Sequence, residues 1–182
     1  MRGPVLAVTA VAAALLTACG QPASEGAAST AGPAPATRSA PSPSPTGLAA
    51  LRPCELLSAT DRSTAGLTSL GEEKTIGTTR ACDWTEPATF GVTVTLADAT
   101  PLRELKIDRG TGRRVTVGEH TGFRVADRSA GDGTCAVLLE VGEASSVQVD
   151  ITNAGFDDTP LACDRADTIA QLIEPKLPQE PR

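Results

Sequence analysis

From Phe90 to Leu96 apolar and polar positions alternate one for one, with Phe90, Val92, Val94 and Leu96 set against Gly91, Thr93 and Thr95. A period of two predicts a strand with one buried and one solvated face. Cys82 and Trp84 lie on a preceding strand, with Pro87, Ala88 and Thr89 as the turn between them. Further on, Val115 and Val117 face Phe123 and Val125 across the turn residues Gly118 to Gly122. Cys135 to Val141 and Ser145 to Thr152 flank Gly142-Glu143-Ala144, so these segments read as successive hairpins.

Helical spacing appears at three places. Pro53 opens a first helix carrying Cys54, Leu56 and Leu57, Ser58 and Asp61 form a capping pair that restarts it, and Gly66 and Gly71 close that region. Thr100-Pro101 begins a short middle helix through Ile107, which Gly110 and Gly112 end. Ala162, Ala166, Ile169, Ala170 and Ile173 recur at spacings of three and four and predict a last helix from Leu161 to Glu174, bounded by Pro160 and Pro175. The order α, β, β, α, β, β, β, β, α gives an α+β domain over residues 49 to 178, with an antiparallel sheet of five or six strands and N- and C-terminal helices packed on it. No internal repeat is present, and residues 179 to 182 form a tail.

The first residues have another logic. Met1-Arg2-Gly3-Pro4, the apolar run Val5 to Leu16, and Thr17-Ala18-Cys19 are the three zones of an export signal. The run is shorter than the ~20 residues that cross a bilayer as a helix. Leu16-Thr17-Ala18-Cys19 matches a bacterial lipobox, which predicts removal of residues 1 to 18 and acylation of Cys19. Two or three acyl chains would hold the chain at a membrane. Residues 19 to 48 then read as a tether: between Gly20 and Gly47 there is no Val, Ile, Leu, Met or aromatic residue, and Glu25 and Arg38 are the only charges. Its reach is about 30 Å as a coil and about 85 Å as an extended polyproline chain.

Composition narrows the function classes. The chain of 182 residues carries 16 Lys and Arg against 22 Asp and Glu, a net charge of −6, so it lacks the cationic field that nucleic acid requires. His120 is the one imidazole. In Gly118-Glu119-His120-Thr121-Gly122 it reads as a solvated turn residue. No Gly-x-Ser-x-Gly elbow, phosphate loop, His-Glu-x-x-His or EF-hand loop occurs. Asp157-Asp158 and Glu72-Glu73 read as solvated loop doublets, because the spacing of a calcium loop is missing. Arg109, Arg113 and Arg114 form a small basic cluster, read as solvated, and Trp84 reads as core.

Arg52-Pro53-Cys54-Glu55-Leu56-Leu57, Arg80-Ala81-Cys82-Asp83-Trp84, Gly133-Thr134-Cys135-Ala136-Val137 and Ser145-Ser146-Val147-Gln148-Val149 carry a resemblance. With Cys163 and a helix ending Ile173-Glu174-Pro175-Lys176-Leu177-Pro178, they are similar to the actinobacterial lipoproteins grouped as domain of unknown function 3558. Where that family commonly has Asp before the first Pro-Cys, this chain has Arg52. The resemblance implies envelope anchoring and one α+β domain, and it carries over no catalytic residue, ligand or cofactor.

Cys54, Cys82, Cys135 and Cys163 lack any Cys-x-x-Cys knuckle, and an exported compartment favours disulfides over zinc. Four cysteines allow three connectivities, and spacing does not choose among them. Direction of travel does. The strand after the first helix must return along it and bring Cys82 back to Cys54, and the hairpin around Gly142 returns the chain to the Cys135 end just before Cys163. The expected bridges are therefore Cys54 with Cys82 and Cys135 with Cys163. The expected protein is a lipid-anchored, non-enzymatic binding or accessory module on the outer face of the cytoplasmic membrane. Its partners would be that membrane and an envelope protein or wall polymer, with no metal or other cofactor. The alternatives are a carrier of a small apolar ligand and an enzyme of unrecognised type.

Overall fold

A computed structural model describes residues 46–107 and 111–179. The leader, Cys19, most of the tether, Arg109 and the last residues of the tail lie outside the described residues. The described chain folds as one seven-stranded antiparallel sheet: β1 (Glu72–Ile76), β2 (Thr79–Glu86), β3 (Phe90–Ala97), β4 (Gly112–Val117), β5 (His120–Val125), β6 (Thr134–Val141) and β7 (Ser145–Asn153). Their order across the sheet is β1-β2-β3-β7-β6-β5-β4.

The expected α+β class holds, with one strand more than expected. β1 escapes a pattern reading because all five of its side chains are exposed and most are polar. It is a strand only through its pairing with β2, as a short, charged edge. The N-terminal helix is also reduced. It consists of 3₁₀ turns at Gly47–Ala50 and Pro53–Leu56, then α1 (Ala59–Thr64), a six-residue helix that buries nothing. The Ser58–Asp61 capping box is present as expected. The middle helix is only a 3₁₀ turn, Leu102–Glu104. Its apolar residues line an extended crossover that runs over one face of the sheet toward β4 at the far edge.

The last helix, α2 (Thr159–Ile173), is the one long helix among the described residues. Asp158 caps it, Pro160 sits in its first turn, and a 3₁₀ turn at Glu174–Lys176 follows. Its Ala162, Ala166, Ile169, Ala170 and Ile173 pack on the strand face built by Val92, Val94, Val137, Leu139, Val147, Val149 and Ile151, all at or below 2% exposure. Small residues on the helix let it lie close to large β-branched ones on the sheet, where such side chains pack well. Trp84, Leu56, Leu57 and Leu67 extend the same core over β2 and β3. Two bridges fasten this layer, Cys54–Cys82 and Cys135–Cys163, with Cα separations of 5.1 and 5.0 Å. These are the pairs that the direction of travel predicts.

Candidate functional site

One face of the sheet is sealed by α2 and the N-terminal segment, and the opposite face is only partly covered. Strand alternation decides what stands there. Asp83, Thr93, Asp150 and Ala136 lie side by side on β2, β3, β7 and β6, and the next row holds Ala81, Thr95, Gln148 and Leu138. Thr95, Ala97, Thr100 and Ser146, which line the open part of this face, are small, so the floor is low. Leu105 of the crossover and Ile76 of β1 wall a cleft of about 330 Å³ in which Gln148 and Asp150 are exposed to the space.

The electrostatics of this floor are unusual. Asp150 stands mid-sheet and half-buried, and its carboxylate oxygens accept the Gln148 side-chain amide at 2.7 and 2.9 Å. Burial pushes the Asp150 carboxyl above its ordinary value. The Gln148 amide pulls against that shift, and the charge of Asp83 adds to it. Asp83 contacts the Lys74 ammonium through Oδ2, while its Oδ1 is buried and has no hydrogen-bond partner among the described residues. Asp150 is thus the carboxylate of the cleft, and Asp83, paired with Lys74 on the other side of Thr93, adds negative charge beside it. Sequence reading did not single out this group. The available signal was Val147-Gln148-Val149-Asp150-Ile151, where strict alternation sets a carboxylate on the non-core face of a strand.

His120 corrects the sequence reading. It is only 7% exposed, not a solvated turn residue, because it opens β5 opposite Val117 and its side chain turns toward the helix layer. Its Nδ1 lies 2.8 Å from Glu174 Oε1 and its Nε2 lies 3.1 Å from the Pro178 carbonyl. The Glu119 backbone N–H donates to the same Glu174 oxygen at 2.9 Å. That amide, with His120 beside it, holds the Glu174 carboxyl below its ordinary value. Gly118 is required here: its φ is +55°, and a Cβ would lie 2.1 Å from the Glu174 carboxylate. Both ring nitrogens are engaged by the protein's own oxygens. The imidazole therefore ties the β4–β5 turn to the end of α2 and offers no free nitrogen to a substrate.

The other residues singled out in the sequence take structural places. Trp84 is core, at 1% exposure. Glu72 and Glu73 stand on exposed β1 rather than in a loop, Glu73 paired with Arg52 at 2.8 Å. Asp158 caps α2, and Arg113 and Arg114 lie on edge strand β4, with Arg114 over the Phe123 ring at 5.3 Å. Among the described residues no three His, Cys, Asp or Glu side chains gather as a metal site, and no helix is long and apolar enough to cross a membrane.

Fold and cleft define an α+β domain with one sealed and one partly open sheet face. The family model described as protein of unknown function DUF3558 matches residues 14–176, and the chain belongs to that family. No curated protein and no solved structure matches it.

Proposed function

We propose that the protein is a lipid-anchored module of the cell envelope that binds a small ligand rich in hydrogen-bond donors on the open face of its sheet, without transforming it. Cys19 anchors it at the outer face of the cytoplasmic membrane, and the tether lets it meet envelope proteins or wall polymers. The lipobox, the proline-rich stretch and the DUF3558 membership support this address.

Asp150 carries the binding reading. A carboxylate withdrawn from water destabilises a fold unless it is matched by a cation or several donors. Asp150 has one neutral amide and a second carboxylate in its surroundings. A ligand bearing an ammonium or several hydroxyls supplies what the fold withholds, and the small floor residues leave it room. Glucosamine joins both donor types and is the probe. Titrated into the protein, it should shift the Gln148 side-chain amide and Thr95 resonances, with glucose weaker and glucuronate weakest. Asp150→Asn should abolish the response and raise the thermal midpoint at neutral pH, because a raised carboxyl pKa means that ionisation works against folding. Loss of stability in Asp150→Asn, or indifference to all three sugars, would defeat the reading. A carboxyl with a raised pKa also suits an acid catalyst, and a hydrolytic activity abolished by Asp150→Asn would replace binding with catalysis.

A further inference from the structure

The loop between β7 and α2 holds Phe156 in an arrangement that the fold itself does not need. Its ring is 70% exposed and its backbone is left-handed, with φ +52°. A bulky L-residue is strained there, and Gly or Asn would adopt the same backbone more readily. Strain and an exposed aromatic at one residue are both unfavourable to the isolated domain, which points to a use outside it.

The loop is also rigidly supported. Asn153, 4% exposed, donates its side-chain amide to the Asp157 and Asp158 carbonyls at 2.9 Å each. The Phe156 N–H donates to the Asn153 carbonyl at 3.0 Å, and Ala154 N–H to Thr89 at 2.9 Å. Gly133 packs so tightly beneath that an added Cβ would lie 2.3 Å from the Asp157 carbonyl oxygen. The Cys135–Cys163 bridge fixes the strand and helix on either side. A preorganised aromatic loses little entropy on docking, which is how interface anchors gain affinity.

The surroundings state what would fit. Leu161, 40% exposed in the first turn of α2, adds a second apolar side chain to this corner. Asp157, Asp158 and Asp164 are exposed around it, while Arg165 is turned back onto the Phe90 ring at 4.2 Å. The corner is thus apolar with an acidic rim. It lies at the end of the sheet where β7 finishes, whereas Gly47 and Leu48 enter beside Gly142 and Ser145 at the opposite end. The corner is thus remote from the point where the chain enters the described domain.

We infer that the Phe156–Leu161 corner is a docking knob for an envelope protein that presents an apolar socket rimmed by lysine or arginine. The test is a photoreactive phenylalanine analogue at position 156 of the full-length protein in its native envelope, with the same analogue at Ser129 as control. One discrete protein adduct should form from position 156 alone, mapping to an apolar peptide flanked by basic residues. Asp157→Lys with Asp164→Lys should lower its yield about tenfold through like-charge repulsion. Phe156→Asn should retain or raise the thermal midpoint. A lipid adduct, an adduct to a second copy of this chain, an equal adduct from Ser129, or a fall in stability for Phe156→Asn would each overturn the inference. None of these readouts depends on the Asp150 cleft, so failure of one reading leaves the other standing.

Discussion

His120 and Glu174 are separated by 54 positions and meet in the folded core, so a change at either should be felt as stability. His120→Ala removes a charge-assisted partner from a buried carboxylate and should cost about 2 kcal/mol in urea unfolding. The pH dependence follows from the same group and from Asp61. The Lys176 ammonium, with the Ser58 hydroxyl, holds the Asp61 carboxyl down to about 2. The Glu119 amide, with His120, holds Glu174 below its ordinary value. Carboxyls depressed in the fold add stability that is complete above their ordinary values and is lost as pH falls through the folded ones. Stability should therefore decline on acidification from about pH 4.5 toward 2, and the double variant Asp61→Asn, Glu174→Gln should flatten that slope. An unchanged slope would show that other carboxyls govern acid unfolding.

At the scale of elements, the bridges do most to fix the layer. Each closes a loop with a sequence separation of 28, for which chain entropy assigns roughly 3.5 kcal/mol. Replacing Cys135 and Cys163 together by Ala should lower the unfolding free energy by about that amount and loosen the start of α2, where amide exchange should rise first. The elements most legible in the sequence are those whose burial keeps one period over most of their length: β3 and β7 alternate, and α2 repeats every three to four residues. β1 was illegible because no side chain in it is buried, and pairing with β2 alone makes it a strand. The crossover misled because Leu102 and Leu105 are spaced like a helical turn while they serve to cover the open face. The disulfide pairing was legible from chain direction. The Asp150 cleft was not, because Leu105, Ile76 and Gln148 come around Asp150 only once the sheet is assembled, and Asp83 comes within electrostatic reach of it only across β3.

For the whole molecule, Cys19→Ala should move the protein from the membrane fraction to the medium, or leave an uncleaved precursor, in fractionation followed by mass measurement. Removing the leader takes Arg2 away and changes the charge from −6 to −7, so attraction to an anionic bilayer would not substitute for the acyl chains. A mature Cys19→Ala protein that pelleted with membranes through a salt wash would defeat the anchor. The strand order has a further consequence for how such a chain is made. β1 to β3 and β4 to β6 are two separate meanders, and β7, the last strand in sequence, pairs with β3 on one side and β6 on the other. A chain emerging from its N-terminus can close the Cys54–Cys82 bridge between the Pro53–Leu56 turn and the first meander, but both ribbons keep a bare hydrogen-bonding edge until Ser145–Asn153 arrives. Such edges recruit other chains. The interval before β7 inserts is thus the aggregation-prone stage of biogenesis, and a chain ending before Ser145 is two open ribbons rather than a smaller domain.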